Sequence, residues 1–272
     1  MLHRVVEKRS LLEENRLLEI TPAFLEQTIL KYKSAGYRFV SLDEVQRQVT
    51  KRKFGRRKFV CFTLDDGYAD NYEKAYPVFQ KHNCPFAIYV TTDFPDQKTQ
   101  LWWYRLENLL LKSDRLKINN DVYDCSDMEK KNRAFIEIRE KIFSTDSVVT
   151  LSALEQLFKE NDCETDVRAL SWKQIVDLAA GSLCTIAAHT VSHASLLTLN
   201  DEMIRKELSI GKKKLEEKIK KPVKHFSYPY GHQDDRVTGL VMEQFDTAVL
   251  AWGSMIRKGD NLYMLQRTDL TE

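Results

Sequence analysis

The sequence has no surplus of either charge. Its 42 Lys and Arg residues face 40 Asp and Glu, a formal net charge of +2 over 272 residues. A general polyanion-binding surface is therefore excluded, and no nucleic-acid partner is expected. No run approaches the ~18 apolar residues that would suggest a membrane span. The opening MLHRVVEKRSLLEEN has neither an apolar centre nor a small-residue cleavage site, so it does not read as a signal peptide, and a cytoplasmic location is the matching expectation. Cysteine is sparse: Cys61, Cys84, Cys125, Cys163 and Cys184 are odd in number and lack CxxC spacing. That fits reduced thiols better than a disulfide framework or a zinc knuckle. Internal repeats and low-complexity tracts are also missing. One local exception to this evenness is KRKFGRRK, Lys51 to Lys58, with six basic residues in eight. Most such runs are solvated loops. The alternative is a landing patch for phosphates on a lipid or an anionic glycan carrier, which would permit peripheral membrane contact.

What the chain does have is an alternation of short apolar strands with amphipathic helices, over a length that can bury a substantial core. Thr21 and Pro22 read as an N-cap and first-turn proline, and Phe24, Leu25, Ile29 and Leu30 then recur at helical spacing up to Gly36. YRFVS follows as a short strand, and Ser41 with Glu44 has capping-box spacing. KFVCFTL and PFAIYVT read as buried strands around a helix over Asn71 to Phe79. From about 98 to 170 the rhythm changes to charged helical stretches, predicting a mainly helical insertion. Trp102 and Trp103 there either anchor it to the core or line a sugar-binding wall. Alternation resumes with Ser171 and Gln174 at capping-box spacing, the strand LCTIAA, and a helix capped by Asn200 with Ile204, Leu208, Leu215 and Ile219 inward. HFSYPYG, TAVLA and YMLQRT complete the strands. Repeated strand–helix units predict a parallel α/β barrel or open sheet, with its site at the carboxyl ends of the strands.

The unusual residues fall at those ends. Asp65 and Asp66 close FTLDD, His189 and His193 follow LCTIAA, Pro229, Tyr230 and Gly231 end HFSYPYG, and Arg267 lies near the end of the last strand. An acid pair at a strand end can be a plain turn with solvated carboxylates and Gly67 at positive φ. It can also be a metal site, one acid binding and the other acting as base. Two histidines four apart on one helical turn would point the same way and share an ion, although such pairs are common on solvated helices. Two imidazoles and one carboxylate make a three-ligand site with coordination left open for water and substrate. The same set suits a non-haem iron oxygenase. Those sites usually sit on all-β jelly rolls, whereas this chain alternates strands with helices.

TLDDGY, HTVSH and YPYG, in that order and each after a strand, resemble the first three motifs of the polysaccharide deacetylase (NodB-homology) family, carbohydrate esterase family 4 type. That family usually shows TFDDG, H(S/T)xxH and RxPY. The similarity extends to LHRV and GYRFVSLDEV and leaves the middle insertion unmatched. The resemblance implies an α/β fold: a distorted (β/α) barrel of about seven strands, one catalytic domain over 1–272 with the helical insertion at about 98–170. It also implies metal-dependent removal of N-acetyl groups from an amino sugar. By motif match, Asp66, His189 and His193 would hold one divalent ion, zinc first and nickel or cobalt next. Asp65 would assist the attack of metal-bound water, and the Tyr230 backbone N–H would stabilise the oxyanion. Pro229, Trp103 and His3 are the expected substrate contacts, and the partner would be an acetylated amino-sugar glycan or a carrier-linked sugar.

Two positions depart from the family pattern. Arg267 stands in LQRT where Leu-x-His is usual, and a guanidinium is a poor acid at neutral pH. Ser227 stands where an arginine usually orients the catalytic aspartate. We expect these departures to be linked, Arg267 supplying the charge that Ser227 cannot, with His3 or His232 as candidates for the proton donor. The competing expectations are a catalytically inactive glycan-binding module of the same fold, and a deformylase or O-deacetylase acting on a carrier-linked sugar.

Overall fold

The computed structural model describes residues 1–50, 58–98, 101–144 and 147–272. Most of the basic run, Lys51 to Arg57, lies outside the described residues; its last member, Lys58, is exposed. The chain opens with β1 (Arg4–Val5), α1 (Glu13–Arg16) and β2 (Glu19–Ile20), the two strands pairing in parallel. Helix α2 (Pro22–Ser34) starts as expected: the Thr21 hydroxyl accepts from the Phe24 N–H, and Pro22 takes the first turn, where its missing N–H is not needed. Next come β3 (Arg38–Phe39), α3 (Leu42–Thr50) and β4 (Phe59–Val60), with β3 and β4 parallel. Strand β5 (Phe62–Leu64) enters the central sheet. The helix expected after it begins as a π-helical turn, Asn71–Ala75, before α4 (Tyr76–Lys81). Pro77 has no N–H for the Glu73 carbonyl, which loosens the first turns.

Strand β6 (Phe86–Val90) is buried throughout. Phe86, Ile88 and Val90 join the larger core cluster, and Ala87 and Tyr89 join the cluster on the opposite face, as a strand covered on both sides should. The segment expected to be the insertion follows as α5 (Trp102–Lys112), β7 (Arg115–Ile118), β8 (Asp121–Asp124), α6 (Met128–Ile142) and α7 (Ser147–Glu160). Its side chains, among them Leu106, Leu110, Phe135, Ile138, Leu154 and Phe158, form a second core cluster that also takes in Leu12, Tyr68 and Phe94. It is not purely helical, because β7 and β8 form an antiparallel hairpin across Asn119 and Asn120, with Asn119 at φ 53°. Two-residue hairpin loops need left-handed residues, and asparagine tolerates that conformation.

The remaining elements are α8 (Trp172–Ala180), β9 (Cys184–Ala188), α9 (Asp201–Ile219), β10 (His225–Ser227), α10 (Asp235–Met242) and β11 (Thr247–Val249). Ser171 and Gln174 form the reciprocal capping box, Asn200 caps α9, and Ile204, Leu208, Leu215 and Ile219 are buried. The sheet order is β11-β10-β9-β6-β5, all parallel. At one edge Leu2 bridges Leu64, and at the other Leu265 bridges Val249, both in parallel. These edges extend the curled five-stranded sheet to the distorted barrel that was expected. YMLQRT contributes that single bridge instead of a full strand, since a turn from Met264 N–H to the Asn261 carbonyl bends the chain just before it. Among the described residues no helix is long and apolar enough to cross a membrane. Because the strands are parallel, their carboxyl ends share one rim.

Candidate active site

Strand β5 carries Asp65 and Asp66 to that rim, where their environments diverge. Asp66 has φ 73° and Gly67 φ 85°, so two successive left-handed residues turn the chain sharply. A non-glycine residue held there is strained, a cost that surrounding contacts must offset. Both carboxylates are 3% exposed, which excludes a solvated turn. Asp65 receives a two-pronged bond from Arg267, Nη1 to Oδ1 at 2.7 Å and Nη2 to Oδ2 at 2.6 Å. The Ser227 hydroxyl donates to Asp65 Oδ2 at 3.1 Å and accepts from Arg267 Nη2 at 3.0 Å. Arg267 is itself fixed by Nε donating to the Leu250 carbonyl at 2.6 Å. Burial alone would raise the Asp65 pKa. The Arg267 charge and its hydrogen bonds outweigh burial and hold the carboxyl well below the usual range.

Asp66 faces the histidines instead. Its Oδ1 lies 3.3 Å from His189 Nε2 and 3.1 Å from His193 Nε2, and donor atoms of all three residues lie within 4.8 Å of one another. The histidines are not on a helical turn as the four-residue spacing suggested. They flank an irregular loop in which Thr190 (φ 67°) and His193 (φ 63°) are left-handed. Glu207 on α9 holds that loop, accepting from Val191 N at 2.8 Å, Ser192 N at 2.9 Å and the Ser192 hydroxyl at 2.8 Å. His189 Nδ1 sits 2.8 Å from the Ser227 carbonyl. A carbonyl only accepts, so Nδ1 carries a proton, and Nε2 is the nitrogen turned toward Asp66. His193 Nδ1 is likewise engaged, 3.0 Å from the Tyr230 hydroxyl. Two imidazole nitrogens and a carboxylate oxygen thus converge, a set satisfied by a shared proton or by a cation, and a divalent ion fits it.

A cavity of about 510 Å³ opens over this centre, lined among others by His3, Asp65, Asp66, Trp103, His189, His193 and Tyr230. Pro229 is buried in the turn that sets Tyr230 and is not part of the lining. In that turn Gly231 has φ 68°, and a Cβ there would lie 2.4 Å from the Trp252 ring, so glycine is required. Arg267 reaches Asp65 from behind and lines a separate cavity of about 480 Å³ beside α3 and β4, away from the histidines. His232 also lines the site cavity, with Nδ1 2.9 Å from the Ser195 hydroxyl.

The polysaccharide deacetylase family model matches residues 52–246. The chain belongs to the polysaccharide deacetylase family. A Bacillus subtilis relative, YxkH, named for the same family, is 38% identical over 55 residues, 20% of each protein, so the match spans one fifth of that relative. The solved Streptococcus pyogenes deacetylase PplD, in complex with acetate, superposes with a TM-score of 0.68 at 18% identity, covering 100% of this chain and 91% of that one. IcaB from Ammonifex degensii superposes with a TM-score of 0.64 at 18% identity, covering 99% and 89%. At these identities the superpositions establish the fold of this deacetylase-family chain.

Several residues in or beside the cavity were not singled out from the sequence. Arg139 and Phe143 reach it from α6 and its end, and Trp252 from just after β11. The Phe143 ring packs on Tyr230, centroids 4.2 Å apart, and Arg139 pairs with Glu14. Tyr68 lies within TLDDGY itself and accepts the Trp103 indole N–H at 3.0 Å. Its position two residues after Asp66 was the signal available; the other three come from segments with no motif around them.

Proposed function

We propose that the chain is a metal-dependent hydrolase that removes N-acetyl groups from an amino sugar in a glycan or a carrier-linked precursor. The observation that carries this reading is the meeting of Asp66, His189 and His193 donor atoms beside an Asp65 carboxylate clamped by Arg267 and Ser227. The family membership and the acetate bound by the Streptococcus pyogenes deacetylase support it. Asp66, His189 and His193 would hold one divalent ion, zinc being the first choice for two imidazoles and a carboxylate. Such an ion supplies polarisation of the acyl carbonyl and acidification of water.

The chain's own groups do the remaining work. Asp65 takes the proton of the attacking water. With both oxygens engaged and its pKa depressed it is a weak base, so its main contribution is position, and Arg267 fixes that position. The Tyr230 backbone N–H, aimed by the left-handed turn at φ 58°, stabilises negative charge on the acyl oxygen. His3 protonates the departing sugar nitrogen. It is preferred over His232 because it lines the same cavity as both aspartates, whereas His232 is held by Ser195 and its pKa is lowered by burial and by Arg139.

The test is acetate release from N-acetylglucosamine oligomers by the zinc-loaded chain, with Asp65→Asn as comparison. Asp65→Asn should lose on the order of 10²–10⁴-fold in rate. Oligosaccharide binding without turnover in the parent chain would instead support an inactive glycan-binding module, and release only from formyl or O-acetyl substrates would change the acyl group assigned.

A further inference from the structure

His3 lies in a stretch of chain that is held by the same segment that carries the two aspartates. Leu2 N–H donates to the Thr63 carbonyl at 3.0 Å, and the Leu2 carbonyl accepts from Asp65 N–H at 3.1 Å. The His3 carbonyl accepts from Asn71 Nδ2 at 2.8 Å. Val5 N–H donates to Asp70 Oδ1 at 3.0 Å. The other Asp70 oxygen accepts from Arg4 Nε at 2.9 Å, and Arg4 Nη1 donates to Glu19 Oε1 at 2.9 Å. The backbone is thus fixed on both sides of His3, and the residue lines the cavity shared by Asp65, Asp66 and His189. Asp70 follows Asp66 by four residues, so the covalent path between the two sets of contacts is short.

Packing alone does not account for these side chains. Asn71 is fully buried, and its Oδ1 has no hydrogen-bond partner among the described residues. An orphaned amide oxygen is costly, and a leucine of similar shape would avoid the cost. What asparagine adds is the Nδ2 bond to the His3 carbonyl. Asn71 also opens the π-helical turn, an irregularity that is frequent at functional sites. Asp70 binds a backbone N–H and a guanidinium at once, so one carboxylate sets the course of the chain on the far side of His3. On the reading that His3 protonates the departing nitrogen, we propose that Asp70 and Asn71 are positioning residues that hold His3 in the cavity beside Asp65 and Asp66. As the C–N bond breaks, its electron pair stays on the sugar nitrogen, which takes the His3 proton, and acetate leaves with the oxygen of the attacking water. A donor misplaced by about 1 Å costs on the order of 10²-fold in rate.

The experiment gives the zinc-loaded chain two substrates. N-acetylglucosamine oligomers have a leaving nitrogen that must be protonated, whereas the phenolate of 4-nitrophenyl acetate departs without a proton. Asn71→Leu should slow acetate release from the oligomers about 10–100-fold more than it slows the ester, with zinc content equal to the parent. In the His3→Ala background Asn71→Leu should add nothing on the oligomers, because the two act in series. Asp70→Asn keeps an oxygen for the Val5 N–H and loses the charge that pairs with Arg4. It is the milder variant should Asn71→Leu not fold, and it should show the same selective loss at smaller size. Equal losses on both substrates, or parent rates on the oligomers in these variants, would overturn the inference while leaving the deacetylase reading standing. Oligomer hydrolysis by His3→Ala at the parent rate would remove His3 as the donor, and the inference with it. A parent chain inactive on the oligomers would overturn the deacetylase reading itself.

Discussion

At the scale of single residues, the most informative contact is between Arg267 and Asp65. The charge that the family pattern places on β10 is supplied here from beyond β11, and Ser227 keeps only a hydroxyl in the network. Lysine can provide the charge at 267 but not the rigid fork. Arg267→Lys should therefore retain zinc and lose on the order of 10²-fold in activity, the effect of a misplaced reacting group. Full activity in that variant would contradict the linkage between the two positions. His232 gives a second test at this scale. Burial first, and the Arg139 charge second, lower its pKa below the ordinary imidazole value. The native state therefore resists its protonation. This contribution to stability is complete above the unfolded value, about 6.5, and is lost as pH falls through it toward the lower folded value. An NMR titration should place His232 below its ordinary value, and Arg139→Ala should bring it part of the way back. A His232 that titrates normally in the folded chain would contradict this.

At the scale of elements, the loop between β9 and α9 depends on one side chain. Glu207 binds two successive N–H groups and the Ser192 hydroxyl. Glu207→Ala should accelerate amide exchange at Val191 and Ser192 while β9 itself stays protected; unchanged exchange there would show that the loop is held otherwise. The same loop marks where the sequence could be read and where it could not. The four-residue spacing of His189 and His193 pointed to a helical turn, and the rings do meet, centroids 4.9 Å apart. What brings them together is left-handed backbone at Thr190 and His193, which no periodicity encodes. Helix caps were legible because a cap is local: Thr21, Ser171 and Asn200 act within three residues. The β7–β8 hairpin carried a two-residue Asn-Asn signal, masked by the charged residues on both sides. The linked Arg267 and Ser227 could be paired from the sequence only because the family pattern made both look out of place.

At the scale of the whole molecule, a parallel sheet collects five chain segments at one rim, and residues of α5 and α6 line the cavity over that rim. The motifs therefore predicted which strand ends would meet, while the wall formed by Trp102, Phe135, Arg139 and Phe143 came from a region with no recognisable pattern. At this scale the rim is expected to hold a catalytic metal. Elemental analysis of the purified chain beside Asp66→Ala tests it most directly. We predict close to one zinc, nickel or cobalt per parent chain and essentially none in Asp66→Ala. A parent chain free of metal even after addition of zinc, or an Asp66→Ala chain that keeps its full complement, would contradict it.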